Sequence, residues 1–308
     1  MVSAEKLVKI KKFPTIFNPK NAWSIKGSEN RQEPRYTVEE KPIHEGSMGS
    51  IYRAWDDTKG QLVAVKVLYD SVQKDENYAS MIEREARTMA NINHPGIPRV
   101  YDFTFADTPE GSLEPVMIME YIKEENLQQR LKSKIPLQPE EVIRIVGQVA
   151  SVIDYIDQEH KLYHGDIKPS QILLCEPHVK VVDFGTSTAV SLAGNEYTPE
   201  FSAPERQLKK IRNLATEEFS LAATAYNMIT GRVVDLDPFK PTAKFKRLSK
   251  WNLKYDFSES DITMLNKLFE KALAYKPEER YESSSEFAES FANTMVNAKI
   301  RKRSFFTL

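Results

Sequence analysis

From Tyr36 onward the chain alternates apolar and polar positions in short runs, which read as strands at 36–43, 50–56 and 61–69. Gly46, Ser47 and Gly49 separate the first two runs, and the turn-rich segment Asp56–Gly60 separates the next pair. Pro42 lies inside the first run and predicts an edge or a bulge, because proline cannot donate to a strand ladder. An apolar stripe at helical spacing follows at 76–91 and stops at HPGI, residues 94–97. The runs RVYDFTF and PVMIMEYI, joined by DTPEGSLE, bring the count to five strands with one inserted helix. This is the pattern of a small α+β lobe.

Past Ile122 the period changes from two to 3.6. Residues 140–159 carry Val142, Ile145, Val149, Val152, Ile153 and Ile156 on one face, a helix long enough to cross a lobe. Two short strand-like runs, ILLC and HVKVV, flank a turn at Glu176–Pro177. Helical spacing returns at 215–230 (ended by Gly231), 259–274 and 284–296. Residues 1–35 show no sustained period and read as an extension, and the tail KIRKRSFFTL reads as a solvated basic end. The predicted organisation is an extension at 1–35, an α+β lobe at 36–122, a mainly helical lobe at 123–297 and a tail at 298–308.

Composition narrows the function classes. The chain holds 43 basic and 44 acidic residues, a formal net charge of −1, so no basic field points to nucleic acid. With 41% hydrophobic residues it can bury a substantial core. The one cysteine, Cys175, excludes an internal disulfide and fits a reducing compartment. No apolar stretch has the length of a transmembrane helix, and the N-terminus lacks the pattern of a secretory signal. The expectation is a soluble, cytoplasmic protein.

Several residues carry candidate chemistry. Gly46 and Gly49 in IHEGSMGSIY sit at a turn between strands, where glycine lets backbone N–H groups approach a phosphate; an ordinary hairpin turn has the same pattern. Lys66 ends the apolar strand VAVK. Glu85 falls within the apolar stripe of the 76–91 helix, four residues from both Met81 and Met89. A carboxylate there needs a partner, and Lys66 is the candidate. Asp183 ends the strand VKVVD before Phe184 and Gly185, which suits a carboxylate presented to Mg²⁺. Asp166 lies in the polar cluster HGDIKPSQ; either aspartate could instead cap a helix or form a turn.

Taken together and in order, EGSMGSIY, VAVK, Glu85 in EREAR, HGDIKPSQ, DFG at 183–185 and APE at 203–205 resemble a protein kinase of the bacterial, eukaryotic-like Ser/Thr kind. PEER at 277–280 resembles the segment whose arginine pairs with the APE glutamate, implying Glu205 with Arg280. The resemblance spans Tyr36 to Met295 and implies a bilobal α+β kinase fold, with a five-stranded antiparallel sheet plus one helix in the N-lobe.

The resemblance further implies ATP as phosphate donor, Mg²⁺ (or Mn²⁺) as cofactor, and Ser or Thr of proteins, this chain included, as acceptor. Lys66, held by Glu85, would contact the α/β-phosphates; Asp166 would accept the hydroxyl proton; Lys168 would steady the γ-phosphate; Asp183 and Gln171 would hold the metal. The nucleotide would be contacted by Glu45, Gly46, Ser47, Met48, Gly49, Ile51, Ala64, Lys66, Met119, Glu120, Ile122, Asn126 and Leu173. Met119 would be the gatekeeper and Leu173 the cleft floor. Thr198 resembles the threonine that contacts the catalytic loop in Ser/Thr kinases.

There are departures from the family pattern. His44 stands at the first glycine of the loop, Gly165 replaces the arginine before the catalytic aspartate, Gln171 replaces an asparagine, and Glu217 replaces an aspartate. Without an arginine at 165, a phosphate on Thr186, Ser187, Thr188 or Ser191 lacks its usual partner, and only 17 residues separate DFG from APE. Gln171 keeps open a second reading, a nucleotide-binding pseudokinase that regulates or scaffolds. A third, a small-molecule phosphotransferase, must account for Lys168, the APE segment and Arg280. His164 and Trp251 read as packing residues, and Cys175 as a buried strand residue.

Overall fold

The computed structural model describes residues 7–10, 35–45, 49–68, 89–107, 113–133, 135–184, 197–209, 211–235, 237–240, 245–250, 253–255 and 257–297. These fall into two compact units: residues 1–93 with 98–123, and residues 94–97 with 124–308.

The first unit is built on an antiparallel sheet of β1 (Leu7–Ile10), β2 (Tyr36–Glu45), β3 (Gly49–Asp56), β4 (Gln61–Leu68), β5 (Val100–Asp107) and β6 (Leu113–Glu120). Its spatial order is β1-β2-β3-β4-β6-β5. Among the described residues the expected five strands are therefore six. The additional one comes from the extension, where residues 7–10 pair with residues 36–39 of β2. No periodicity marks a four-residue strand, and this one is defined by the neighbour that it pairs with. Pro42 sits between two register shifts in the β2–β3 ladder, the irregularity expected of a residue with no N–H to give.

Period-two alternation decides which face is buried. Tyr36, Val38, Ala54, Val63, Val65, Val116 and Ile118 are each at most 5% exposed and form one apolar cluster. Arg35 fastens the chain where it enters β2, with a two-pronged ion pair to Asp56 at 2.9 and 2.7 Å. Of the helix expected at 76–91, only residues 89–91 are among those described, and 89–90 are helical.

The second unit is mainly helical: α1 (Leu127–Lys132), α2 (Pro139–His160), α3 (Pro204–Lys209), α4 (Leu214–Thr230), α5 (Glu259–Ala272) and α6 (Ser284–Asn297), with a hairpin of β7 (Ile172–Cys175) and β8 (His178–Val181). Helix α2 begins with Pro139 at its first turn and a reciprocal cap between Gln138 and Glu141, then buries Val142, Ile145, Val149, Val152, Ile153 and Ile156. Asp154 on this helix is 7% exposed and accepts the backbone N–H groups of Ser284 and Ser285, at 3.1 and 2.9 Å. A carboxylate from one helix thus caps the start of another, satisfying two amides that α6 cannot satisfy itself. Helix α4 is buried over nearly its whole length, which is why its pattern is less amphipathic than that of α2. Tyr226 and Phe269 meet edge-to-face at 5.7 Å in the core beside it.

The HPGI segment packs on this unit. A Cβ at Gly96 would stand 2.5 Å from Cγ2 of Val152, so glycine is what lets the loop lie against α2. The Gly96 carbonyl then accepts the N–H of Val181 at 2.8 Å, tying the loop to β8.

Candidate active site

Between α2 and β7 the chain forms the loop that carries His164, Asp166 and Lys168. His164 is fully buried and braces that loop from within. Its Nδ1 accepts the Asp166 N–H at 3.3 Å, while its Nε2–H donates to the Val182 carbonyl at 2.8 Å. Burial pushes its pKa down, so the ring is the neutral tautomer that this pattern requires. Its ring also lies 4.8 Å from that of Phe184, which is 4% exposed.

Asp166 and Lys168 are brought together with Thr198. The Lys168 ammonium donates to Asp166 Oδ2 at 2.5 Å and to Thr198 Oγ1 at 2.7 Å, and the Thr198 N–H donates to Asp166 Oδ1 at 3.1 Å. Three residues from two segments, 30 or more positions apart in sequence, therefore close a hydrogen-bonded ring. Each carboxylate oxygen of Asp166 keeps a second lone pair for a further donor.

The hairpin positions the next pair. Ile172 faces Val181 and Leu173 faces Lys180 in the β7–β8 register, so Gln171 and Asp183 lie just outside the same, open end of the ladder, away from the turn. The Val182 N–H donates to the Gln171 carbonyl at 2.9 Å, and the Gln171 side-chain Nε2 donates to Asp183 Oδ2 at 3.2 Å. Asp183 has a φ of +65°, a left-handed turn that aspartate tolerates better than most residues. The carboxylate of Asp183 and the amide oxygen of Gln171 are hard oxygen donors on neighbouring backbone. That donor set fits a divalent cation which completes its shell from phosphates and water.

Asn126 has a local task that the sequence reading did not foresee. Its side chain caps α1 by accepting the Gln129 N–H at 2.9 Å, while its backbone bridges to Leu173.

In the first unit, Ile51 and Met117 are the cross-strand neighbours of Lys66, and Arg53 and Met119 those of Ala64. Ile51, Ala64, Lys66 and Met119 thus share the sheet face opposite Val63 and Val65. Glu120 is held by backbone and side-chain bonds to Arg99, at 2.8 and 3.1 Å. Glu45 is exposed at the end of β2, Gly49 is buried at the start of β3, and Ile122 is half-buried. Gly46, Ser47, Met48 and Glu85 lie outside the described residues, as do Gly185, Thr186, Ser187, Thr188, Ser191, Trp251 and the basic tail.

Glu217 reaches the loop of Gly165 and Asp166 from α4. Its Oε1 accepts the Gly165 N–H at 2.7 Å, and it is 1% exposed. Arg280 and Glu205 form the implied pair, at 2.7 and 2.9 Å, with the guanidinium also 5.0 Å from the Phe219 ring.

A family model described as "Protein kinase domain" matches residues 37–304. The chain belongs to the protein kinase family. Among curated relatives of this kinase domain, the serine/threonine-protein kinase PknB of Mycobacterium tuberculosis is 29% identical over 264 residues, covering 78% of this chain and 40% of that protein. PknB of Mycolicibacterium smegmatis is 28% identical over 251 residues, with the same coverage. PrkC of Bacillus subtilis is 25% identical over 276 residues, covering 84% of this chain and 40% of its own length. The chain thus spans about 40% of the length of these relatives. The crystal structure of the Mycobacterium tuberculosis PknI kinase domain superposes with a TM-score of 0.65 at 24% identity, over 84% of this chain and 96% of that one. That likeness establishes the bilobal α+β kinase fold.

Arg206 and Arg212 carry no signature in the sequence. Both belong to the surroundings of Gly165 and Glu217, and no motif or periodicity singles them out.

Proposed function

We propose that this domain transfers the γ-phosphate of ATP to Ser or Thr hydroxyls of proteins, its own chain among them. The observation that carries the reading is the ring formed by Asp166, Lys168 and Thr198. It sets a carboxylate that can accept a proton beside an ammonium that can meet phosphate oxygens. In the reaction the acceptor oxygen forms a bond to γ-phosphorus, the bond from γ-phosphorus to the bridging oxygen breaks, and ADP leaves. Asp166 receives the hydroxyl proton on a lone pair left over from its bonds to Lys168 and Thr198. Lys168 balances charge on the phosphoryl oxygens as they move. Lys66 would engage the α/β-phosphates, and Glu85 would hold it there. Gln171 and Asp183 would hold Mg²⁺, with Mn²⁺ as a substitute, and that ion would supply charge neutralisation to the phosphates.

No helix among the described residues is long and apolar enough to cross a membrane. We place the reaction in the cytoplasm, where ATP is abundant and the thiol of Cys175 stays reduced. The test is transfer of labelled γ-phosphate from ATP to the chain itself and to a generic Ser/Thr-rich protein. The expected result is metal-dependent transfer that Asp166→Asn abolishes. Transfer that survives Asp166→Asn, or folded protein that binds ATP and transfers nothing with either metal, would overturn this reading and favour a regulatory nucleotide-binding module.

A further inference from the structure

At Gly165 the backbone adopts a φ of +81°, and an added Cβ would stand 3.2 Å from Nε and 3.4 Å from Cδ and Cζ of Arg212. The guanidinium of Arg212 therefore occupies the space into which a side chain at 165 would grow. Gly165 and Arg212 are two halves of one arrangement: the loop lacks an arginine, and an arginine arrives from the segment before α4.

Beneath that contact lies Glu217, whose carboxylate holds the Gly165 amide. Its second oxygen, Oε2, is buried with no hydrogen-bond partner among the described residues. A carboxylate in that position is costly to keep charged unless cations stand close. Two do, Arg212 and Arg206, and both act on it through their charge. Arg206 is 2% exposed and lies 5.7 Å from the Tyr197 ring, so it is built into the interior and not spread on the surface.

The geometry points to Arg212 as a positioning residue for phosphotransfer: packed against Gly165, it supplies the charge with which Glu217 grips the loop that carries Asp166. Arg206 supports the same carboxylate from α3. This inference rests on the phosphotransfer reading above, and it also explains how a glycine is accommodated before the catalytic aspartate.

The electrostatics agree in sign. Burial pushes the Glu217 pKa up to about 7, while the Gly165 N–H, Arg212 and Arg206 pull it back down and Asp166 pushes it up. Tyr163, on the same loop, has its pKa raised chiefly by burial and by its hydrogen bond with Asp157, with the charge of Glu217 acting on it least. Removing a nearby cation raises a carboxylate pKa by roughly one unit or more. The ionised fraction of Glu217 at pH 7 then falls several-fold, and the grip on Gly165 with it.

The test is a double-mutant cycle on the full chain with Arg212→Gln and Glu217→Gln, read by phosphate transfer across pH and by urea unfolding. Arg212→Gln should lower kcat at pH 7 by roughly 5- to 10-fold, leave KM for ATP within about twofold, and move the acid limb of kcat up by about one pH unit. Arg212→Lys, which keeps the charge, should restore most of kcat. In the Glu217→Gln background, Arg212→Gln should add nothing, and the limb near neutral pH should be gone. Should Arg212→Gln not fold, Glu217→Gln alone decides: persistence of that limb sinks the inference. If the unmodified chain transfers no phosphate, the phosphotransfer reading fails by itself. The urea midpoints between pH 6 and 8 must then still show Arg212 and Glu217 coupled, and additive midpoints overturn the pairing.

Discussion

Arg280 grips Glu205 through two parallel bonds, Nη1 to Oε1 at 2.7 Å and Nη2 to Oε2 at 2.9 Å, with the guanidinium wholly buried. The same guanidinium also donates to the carbonyls of Ala274, Ala215 and Tyr275. One side chain thus joins the start of α3, the start of α4 and the turn after α5. Its removal leaves a buried carboxylate and three carbonyls without their donor. Arg280→Met is expected to destabilise the helical unit by about 3–5 kcal/mol, measured by urea unfolding followed by circular dichroism. A loss below 1 kcal/mol would mean that Glu205 is served by other groups.

Thr198 gives the Lys168 ammonium its second acceptor. Thr198→Val keeps the shape and the backbone N–H to Asp166 but removes the hydroxyl. A reacting group misplaced by about 1 Å can cost about 100-fold, so kcat should fall by about 10- to 100-fold with KM for ATP little changed. Thr198→Ser should retain activity. Steady-state kinetics of both variants check this, and equal losses in the two would remove the hydroxyl from the argument.

Gln171 and Asp183 test the metal assignment. Gln171→Ala deletes both the amide oxygen and the donor to Asp183. The half-saturating Mg²⁺ concentration for transfer should rise by about 10- to 100-fold, the usual size of an effect on ligand support. Gln171→Asn is shorter by one methylene and should fall between the two. Magnesium titration at saturating ATP separates the three proteins, and an unchanged requirement in Gln171→Ala would exclude this amide from the metal site.

Glu218 makes the fold sensitive to alkali. It is fully buried on α4, and neither of its carboxyl oxygens has a hydrogen-bond partner among the described residues. Burial pushes its pKa up to about 9, against the pull of Arg280 and Lys271. The folded protein then holds a proton that the unfolded chain releases above pH 4.5. Stability from this group is complete below pH 4.5 and is lost as pH rises toward 9, by up to about 1.4 kcal/mol per pH unit. Glu218→Gln, neutral at every pH, should gain stability relative to the unmodified chain between pH 6 and 8.5. Parallel urea curves across that range check the sign.

Much of this is legible in the sequence alone. Helix α2 runs from Pro139 to His160 against an expectation of 140–159, and α4 ends at Gly231 as its sequence indicates. Both are long and strongly periodic, so local pattern and tertiary packing agree. Strand β1 is not legible, because four residues carry too little alternation to stand out and their partners on β2, Tyr36 to Glu39, are distant in sequence. The short helices at 127–132 and 204–209 hide for the same reason. In the site, motif spacing led to Asp166, Lys168, Gln171 and Asp183, whose positions follow from a hairpin and a tight turn. Arg212 was beyond reach: a lone arginine in a loop has no signature until the loop is folded against Gly165.

The strand at 7–10 alters how the domain meets other molecules. Without it β2 would form the margin of the sheet, a row of backbone donors and acceptors open to any extended peptide, including β2 of a second copy. Lys41, Pro42 and the irregular register already make that margin a poor template. The first strand closes its remaining regular stretch, Tyr36–Glu39. A chain begun at residue 35 should therefore fold but self-associate with rising concentration, as light scattering would report. On that outcome the strand at 7–10 is a guard against aggregation.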